Sequence, residues 1–363
     1  MNTPDKKRLE SHKIRSLGSV WKIFLPIVIG LIAVMWLFHR EFDPEVFASI
    51  NFDWRTIGCI MLAWLFMAGR DFGLTWRFRT LTDNQLPWRN ALHVDMLCEF
   101  TSCVTPSAVG GSAFGMIYLN REGIELGRAT TLMMTTLFLD ELFFVVSIPL
   151  VVLLVPYQDL FEFGNKSIAV GLQSIFWVVY TGIFIWTAML FVGIFVKPQA
   201  VRIFLNKIFR LKILRKWSAQ IDELGHNIES TGRKLRKRPP LWWVKTFGAT
   251  ALSWSSRYLV VNALFLGFAP NADQLTVFVR QFVVWVCLMV SPTPGSAGIS
   301  EWLFTTYYGD LIQSAGIVLV IAIFWRIVGY YVYLAVGACI IPGWLRKRVN
   351  IRRRHRRNNI IEN

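Results

Sequence analysis

Apolar runs of about 20 residues, the length that carries a helix across a bilayer core, recur along the whole chain. Apolar and polar residues do not alternate within these runs, which argues against a β-barrel. We therefore predict an all-α polytopic membrane protein with about six full transmembrane helices. The predicted spans cover residues 23–38, 54–76, 129–155, 168–196, 241–268 and 314–341.

Two further apolar segments are interrupted by helix-breaking residues. Residues 88–121 contain Thr105-Pro106-Ser107-Ala108-Val109-Gly110-Gly111-Ser112, and residues 275–308 contain Pro292-Thr293-Pro294-Gly295-Ser296-Ala297-Gly298. Each arm is too short to cross a membrane alone, so we predict two re-entrant broken-helix hairpins. With both termini in the cytoplasm, the hairpins enter from opposite faces, an arrangement typical of inverted repeats in transporters.

Basic residues set this orientation and divide the chain. We predict a cytoplasmic N-terminal segment (1–22), a transmembrane domain (23–342) and a basic cytoplasmic tail (343–363). Within the domain, residues 197–240 form a cytoplasmic loop whose apolar residues keep helical spacing. This pattern predicts amphipathic helices on the anionic inner leaflet, and a docking surface for a protein or nucleic acid is the alternative.

The net charge of +16 raises the question of nucleic acid as a partner, but no recognisable binding module accompanies it. The five cysteines form no CxxC pair and the histidines are scattered, so we expect no metal and no cofactor. No nucleophile elbow, P-loop or HExxH motif is present, which argues against an enzyme. Membrane lipids are the expected partners, and a homo-oligomer is compatible with the sequence.

The two breaks are the first candidate sites. Irregular backbone at membrane depth survives only when it is buried in protein or lines a polar cavity. The N-terminal ends of the half-helices would present free N–H groups to an anion such as phosphate. The hydroxyls of Thr105, Ser107, Ser112, Thr293 and Ser296 would add donors. A simple kink between ordinary spans is the alternative.

The second set of candidate site residues consists of ionisable residues within or near the spans. A charge at this depth costs at least about 2.5–3.5 kcal/mol, so it needs a partner or a wet cavity. The arginines and acids could neutralise one another, or Arg257 and Arg326 could hold a lipid phosphate through their forked guanidinium groups. Arg70, Arg77 and Arg79 mark the cytoplasmic end of the second span, where Arg70 and Asp71 are expected to form a structural ion pair. The predicted substrate-binding set is Thr105, Pro106, Ser107, Gly110, Gly111, Ser112, Thr293, Pro294, Gly295, Ser296, Gly298, Glu301, Arg257, Arg326, Asp140, Glu141, Glu99 and Arg280.

These motifs resemble the flippase-like transmembrane region of lysylphosphatidylglycerol synthases over roughly residues 20–342. Many members carry Arg and Glu at the first break, where this chain has Ala108 and Gly111. The resemblance rests on the first break with Tyr118-Leu119, Gly123-Ile124 and Ala129-Thr130, then Asp140-Glu141, Arg257-Tyr258, the second break with Glu301, and Arg326 with Tyr330-Tyr331.

The resemblance implies movement of a phospholipid or another anionic or zwitterionic lipid between leaflets of the bacterial cytoplasmic membrane. It implies no aminoacyl transfer, because the separate C-terminal domain of bifunctional members has no counterpart in this sequence. A membrane enzyme or carrier acting on polyprenyl-linked sugars is the main alternative, and a non-transporting scaffold is a third.

Overall fold

The computed structural model describes residues 52–105, 109–161, 163–164, 166–197, 199, 203, 218–312 and 314–340. The predicted span 23–38, the two basic terminal segments and much of the 197–240 loop lie outside these ranges. Within them every regular element is a helix, so the predicted all-α polytopic membrane fold is confirmed. The helices are α1 Trp54–Leu81, α2 Trp88–Val104, α3 Val109–Arg121, α4 Leu126–Leu154, α5 Tyr157–Phe161, α6 Lys166–Phe191, α7 Ser218–Arg236, α8 Pro240–Phe268, α9 Gln274–Leu288, α10 Ile299–Tyr308 and α11 Ala315–Arg326. A π-helical turn, Val192–Val196, follows α6, and a second, Ile327–Tyr331, extends α11 into a helix that reaches residue 340.

In the described part of the chain, four helices are long and apolar enough to cross a membrane. They are Trp54–Leu81, Leu126–Leu154, Lys166–Val196 and Ala315–Ile340. Helix α8 has 29 residues but is not one of the four, although residues 241–268 were predicted as a span. It buries Thr246, Thr250, Ser253 and Ser256 against other helices, and a helix enclosed by protein does not need an apolar surface all round.

Helix α8 lies antiparallel along α1 at the centre of the bundle. The Thr56 hydroxyl, near the start of α1, donates to the Gly267 carbonyl at 3.3 Å, and Arg77, near the end of α1, reaches Thr250 at 3.1 Å. A Cβ added to Gly73 would lie 2.8 Å from the Ala249 carbonyl oxygen, so this glycine permits the close approach of the two backbones.

Both interrupted segments form the predicted pairs of short helices. Helix α2 ends at Val104, and Thr105 is extended with φ −107° and ψ 146°, the conformation favoured before a proline. The second break contains Gly295, Ser296 and Gly298, all at positive φ, which no α-helix can pass through. The local stereochemistry of Pro and Gly therefore ends α2 at Val104 and delays the start of α10 to Ile299, whereas α9 already ends at Leu288, four residues before Pro292.

The bundle has two dissimilar halves. Asp83, just after α1, contacts Arg128 at the start of α4 and Arg238 just before α8, so these helix ends meet in what we call the basic half. The opposite half, which we call the aromatic half, is a packed core of rings that includes Tyr258 against Phe282, with centroids 4.7 Å apart.

Helix α7 lies on the basic half. A hydrogen bond joins Asn227 to Glu125, which directly precedes α4, and Ile228 and Leu235 are buried. The second part of the 197–240 loop is thus helical over Ser218–Arg236, and its predicted amphipathic role at the inner leaflet stays a prediction. The first part lies largely outside the described residues.

Candidate functional site

The two breaks meet inside the bundle. The Gly295 N–H donates to the Thr105 carbonyl at 3.5 Å, and the Tyr330 hydroxyl donates to the Cys103 carbonyl at 3.4 Å. A Cβ on Gly295 would lie 2.1 Å from Cε2 of Tyr330 and 2.9 Å from the Cys103 oxygen. Only glycine fits here, both because of this contact and because its φ is +55°.

A cavity of about 230 Å³ lies beside this junction. On α1 it is lined by residues between Arg70 and Phe78, and on α8 by residues from Ser253 to Arg257. Leu288, Trp325 and Tyr330 of the aromatic half also line it, so it lies where the two halves meet. Its wall is charged. The ionisable lining residues other than cysteine and tyrosine are Arg70, Arg77, Asp95, Glu99, Asp140, Glu141, Arg257 and Arg326.

Arg70, on the cavity wall, contacts two acids. Its guanidinium donates to Asp71 at 2.8 Å and forms an ion pair with Glu99, while only 2% of its surface is exposed. The Tyr333 hydroxyl donates to Asp71 at 2.6 Å. The predicted Arg70–Asp71 pair is therefore present, but it lies within the bundle at the cavity wall.

Arg77 and Asp140 form a bidentate pair across the cavity wall. The two guanidinium nitrogens donate to the two carboxylate oxygens at 2.6 and 3.1 Å. Trp254 Nε1 donates to the same carboxylate at 2.9 Å. Asp140 thus has three donors, which fix its position and reduce its freedom to bind a ligand.

Glu301 occupies the N-terminal end of α10. Its carboxylate accepts from the Gly298 N–H and from the Ser300 hydroxyl, both at 2.8 Å, and pairs with Arg326 Nε at 2.8 Å. Arg326 also donates to the Gly295 carbonyl at 3.2 Å and lies 3.8 Å from the Tyr330 ring centroid. The anion expected at this helix end is therefore supplied by the protein's own Glu301.

Arg257 is the least engaged of the four lining arginines. Its one hydrogen bond among the described residues is to Glu99, at a long 3.3 Å. The guanidinium lies over the rings of both Trp254 and Trp285, 5.2 and 4.6 Å from their centroids. Trp285 Nε1 is buried without a partner in the described structure, so a second donor is available beside Arg257.

The structure brings many of the predicted residues together and leaves others apart. Thr105 contacts Gly295, and Glu301 pairs with Arg326, so both touch residues that line the cavity. Gly298 contacts Glu301, and Thr293 shares a hydrogen bond with Ser291 at 3.2 Å. Pro106 and Ser107 lie outside the described residues, and so does the side chain of Ser112. The predicted residues that line the cavity are Glu99, Gly111, Asp140, Glu141, Arg257, Gly295, Ser296 and Arg326.

Arg280 lies away from the cavity. It donates to both oxygens of Asp310, at 2.5 and 2.8 Å, to the Tyr307 carbonyl at 2.7 Å and to the Asp159 carbonyl at 3.0 Å. These bonds join α9 to α10 and to the short helix α5. In this structure Arg280 connects helices and does not face the junction of the breaks.

The predicted site did not include Arg70, Arg77, Asp95, Trp254 or Trp285. The two arginines were interpreted as markers of a membrane boundary. Their spacing of seven residues, with Leu74 between them, could have shown that they share one face of α1, because residues i, i+4 and i+7 lie on one side of a helix.

Comparison with known proteins agrees with this fold. The model of the family described as "Lysylphosphatidylglycerol synthase TM region" matches residues 23–337. A "UPF0104 membrane protein" of Archaeoglobus fulgidus is 22% identical over 316 residues, which cover 86% of this chain and 94% of that protein. No solved structure matches the chain significantly. With its two breaks inside the matched region, this chain belongs to the lysylphosphatidylglycerol synthase transmembrane-region family.

Proposed function

We propose that this protein moves a lipid with an anionic or zwitterionic head group between the two leaflets of the cytoplasmic membrane. The observation that carries the proposal is the charged cavity at the junction of the two broken helices, inside a bundle whose outer helices are apolar. Charged groups at membrane depth are costly and mark substrate or ion pathways. Binding at broken helices is also the pattern of transporters built from inverted repeats.

The size of the cavity fits a head group and excludes a whole lipid. A volume of about 230 Å³ lies just below the roughly 300–1,000 Å³ of pockets that enclose drug-sized ligands. The acyl chains would therefore stay in the bilayer while the head group passes through the protein. The apolar outer surface of the helices that flank the cavity, with Phe114 and Ile117 of α3 exposed, suits that division.

Arg257 is the residue that we expect to hold the phosphate. Arg70, Arg77 and Arg326 each have an acid within 2.8 Å, whereas Arg257 has one long bond to Glu99. A phosphate oxygen could accept from the Arg257 guanidinium and from the partnerless Trp285 Nε1–H. The two indole rings would keep the guanidinium in place when the phosphate leaves.

The orientation follows from charge. The basic half carries Arg128 and Arg238, and positively charged residues favour the cytoplasmic side. In this orientation the aromatic half lies toward the outside. The two hairpins then approach the junction from opposite faces, as inverted repeats require.

The test is lipid movement in reconstituted vesicles. Purified protein would be inserted into vesicles that contain fluorescent phosphatidylglycerol, phosphatidylethanolamine or a polyprenyl phosphate, and a membrane-impermeant quencher would report the outer-leaflet fraction. Arg257→Gln should slow movement at least about tenfold, the loss expected for a charge-assisted contact worth about 1.4 kcal/mol or more. Arg128→Gln, at the surface and outside the cavity, should move lipid at the wild-type rate.

Two results would count against the proposal. One is a wild-type rate equal to that of protein-free vesicles for all three lipids. The other is an Arg257→Gln variant that matches Arg128→Gln. If only the polyprenyl phosphate moves, the carrier of polyprenyl-linked sugars becomes the function, with Arg257 in the same role.

A further inference from the structure

Each lining arginine of the cavity has an acidic partner, and two lining acids are left over. Arg70 pairs with Asp71 and Glu99, Arg77 with Asp140, Arg257 with Glu99 and Arg326 with Glu301. Asp95 and Glu141 also line the cavity, but neither forms an ion pair among the described residues. Each has a buried oxygen, Oδ2 and Oε2 respectively, without a hydrogen-bond partner there.

Asp95 is the more constrained of the two acids. Only 1% of its surface is exposed. The charged side chains that interact electrostatically with it are Arg70, Asp71 and Arg77 of α1 and Glu99 of α2. The Cys98 thiol also feels its charge, and the Tyr333 hydroxyl donates to Asp71. Both arginines already have acids of their own, so an ionised Asp95 would add an uncompensated negative charge to the wall.

The residues around Asp95 favour a proton over a larger cation. A lipid ammonium group cannot reach a side chain that is 99% enclosed unless the wall opens. A metal ion would need several ligands, and in the described part of the chain no three His, Cys, Asp or Glu side chains converge to hold one. A proton needs only the buried carboxyl oxygen itself.

We propose that Asp95 is the proton-binding acid of the cavity, and that a proton on Asp95 and an anionic head group on Arg257 bind cooperatively. The link between them is Glu99, which contacts both Arg70 beside Asp95 and Arg257 beside the phosphate position. The negative charge of a head group is stabilised by Arg257. When Asp95 is protonated and neutral, it no longer offsets the positive potential of Arg70 and Arg77, so that potential stabilises the head group more strongly. By linkage, the head group then favours protonation of Asp95 to the same extent.

The coupling rests on the proposed lipid movement, whereas the proton site itself does not. The rate of anionic lipid movement should fall as the pH rises through the range in which Asp95 loses its proton. Asp95→Asn resembles the protonated acid in shape and charge. The variant should therefore move phosphatidylglycerol at high pH nearly as fast as the wild type does at low pH, and its response to pH should be much smaller than that of the wild type.

The first experiment measures phosphatidylglycerol movement by wild-type protein in vesicles between about pH 5 and 9, beside Asp95→Asn and Asp83→Asn. Asp83 lies outside the cavity and should keep the wild-type pH profile. We expect the wild-type rate to fall about tenfold or more, the effect of about one pKa unit of linkage. A flat wild-type profile, or a wild-type profile retained in Asp95→Asn, would overturn the coupling.

The second experiment needs no transport. Infrared difference spectroscopy of the purified full-length protein in detergent, recorded over the same pH range, detects the C=O stretch of a protonated carboxylic acid. A band that titrates in the wild type and is absent in Asp95→Asn supports the proton site, and an unchanged band in that variant overturns it. If no lipid moves at any pH, the translocation proposal fails while this measurement still decides the role of Asp95.

Discussion

Replacing Gly295 by alanine should separate the two breaks at the point where they touch. The added Cβ would lie 2.1 Å from Cε2 of Tyr330 and 2.9 Å from the Cys103 carbonyl oxygen. The ring is held by its hydroxyl, which donates to that same carbonyl, and the Arg326 guanidinium lies on it. Neither obstacle is the free end of a flexible chain, so the backbone around Gly295 has to move.

Two costs add up to the expected loss of stability. Overpacking of a closed contact costs typically 1–3 kcal/mol. Holding alanine at a φ of +55° costs roughly 1–2 kcal/mol more than glycine. We expect Gly295→Ala to lower the free energy of unfolding by about 2–5 kcal/mol.

Two other glycines separate these costs. Gly123 has a φ of +93° and no atom within 4 Å of the position that an added Cβ would take, so Gly123→Ala should show only the conformational cost. Gly329 is helical and also has open space around it, so Gly329→Ala should be neutral or slightly stabilising. Unfolding in mixed micelles of graded SDS content, followed by tryptophan fluorescence, would measure all three.

The order of stability expected is Gly329→Ala, then Gly123→Ala, then Gly295→Ala. If Gly295→Ala is as stable as Gly329→Ala, the breaks do not meet as described, and the reasoning about the junction is refuted. If Gly295→Ala lowers the free energy of unfolding only as much as Gly123→Ala does, the Tyr330 ring moves away from the added Cβ with no loss of stability. Lipid movement by Gly295→Ala should also fall, because the displaced break reshapes the cavity wall.

Two further predictions concern single contacts. Arg77→Leu should destabilise the protein by about 1–3 kcal/mol because it leaves the partly exposed Asp140 without its guanidinium partner. The double variant with Asp140→Leu should recover most of that loss in the same unfolding assay. An equal loss in the single and double variants would show that the pair is not the cause. Asp273 caps α9 by accepting from the Thr276 hydroxyl at 2.6 Å and the Thr276 N–H at 2.8 Å, and these bonds lower the pKa of its carboxyl. Asp273→Ala should therefore lower the free energy of unfolding by about 1 kcal/mol at neutral pH. Because the pKa of Asp273 is depressed in the folded state, this difference from the wild type should shrink as the pH falls below about 4. A difference in unfolding midpoint that does not change with pH would contradict this prediction.

Sequence alone was enough for the features that depend on local chemistry. The apolar runs predicted the helices that are long and apolar enough to cross a membrane, and the family assignment is confirmed over residues 23–337. The breaks were also predictable, because proline biases the residue before it away from the helical region and glycine accepts positive φ. Thr105 and Gly298 adopt the backbone conformations that this reasoning requires.

Tertiary structure alone decided which charges meet. Arg77 finds Asp140 63 residues away, and Arg257 finds Glu99 158 residues away, on helices whose separate sequences contain no signal for the pairing. The sequence also does not show that Arg280 pairs with Asp310, so Arg280 was predicted to lie at the site near a break. Nor does it distinguish Asp95 from other polar residues of the same segment. Hydropathy and backbone preference act over a few residues, whereas the partner of a buried charge is set by how whole helices pack, and that packing determines which acids are left unpaired at the cavity.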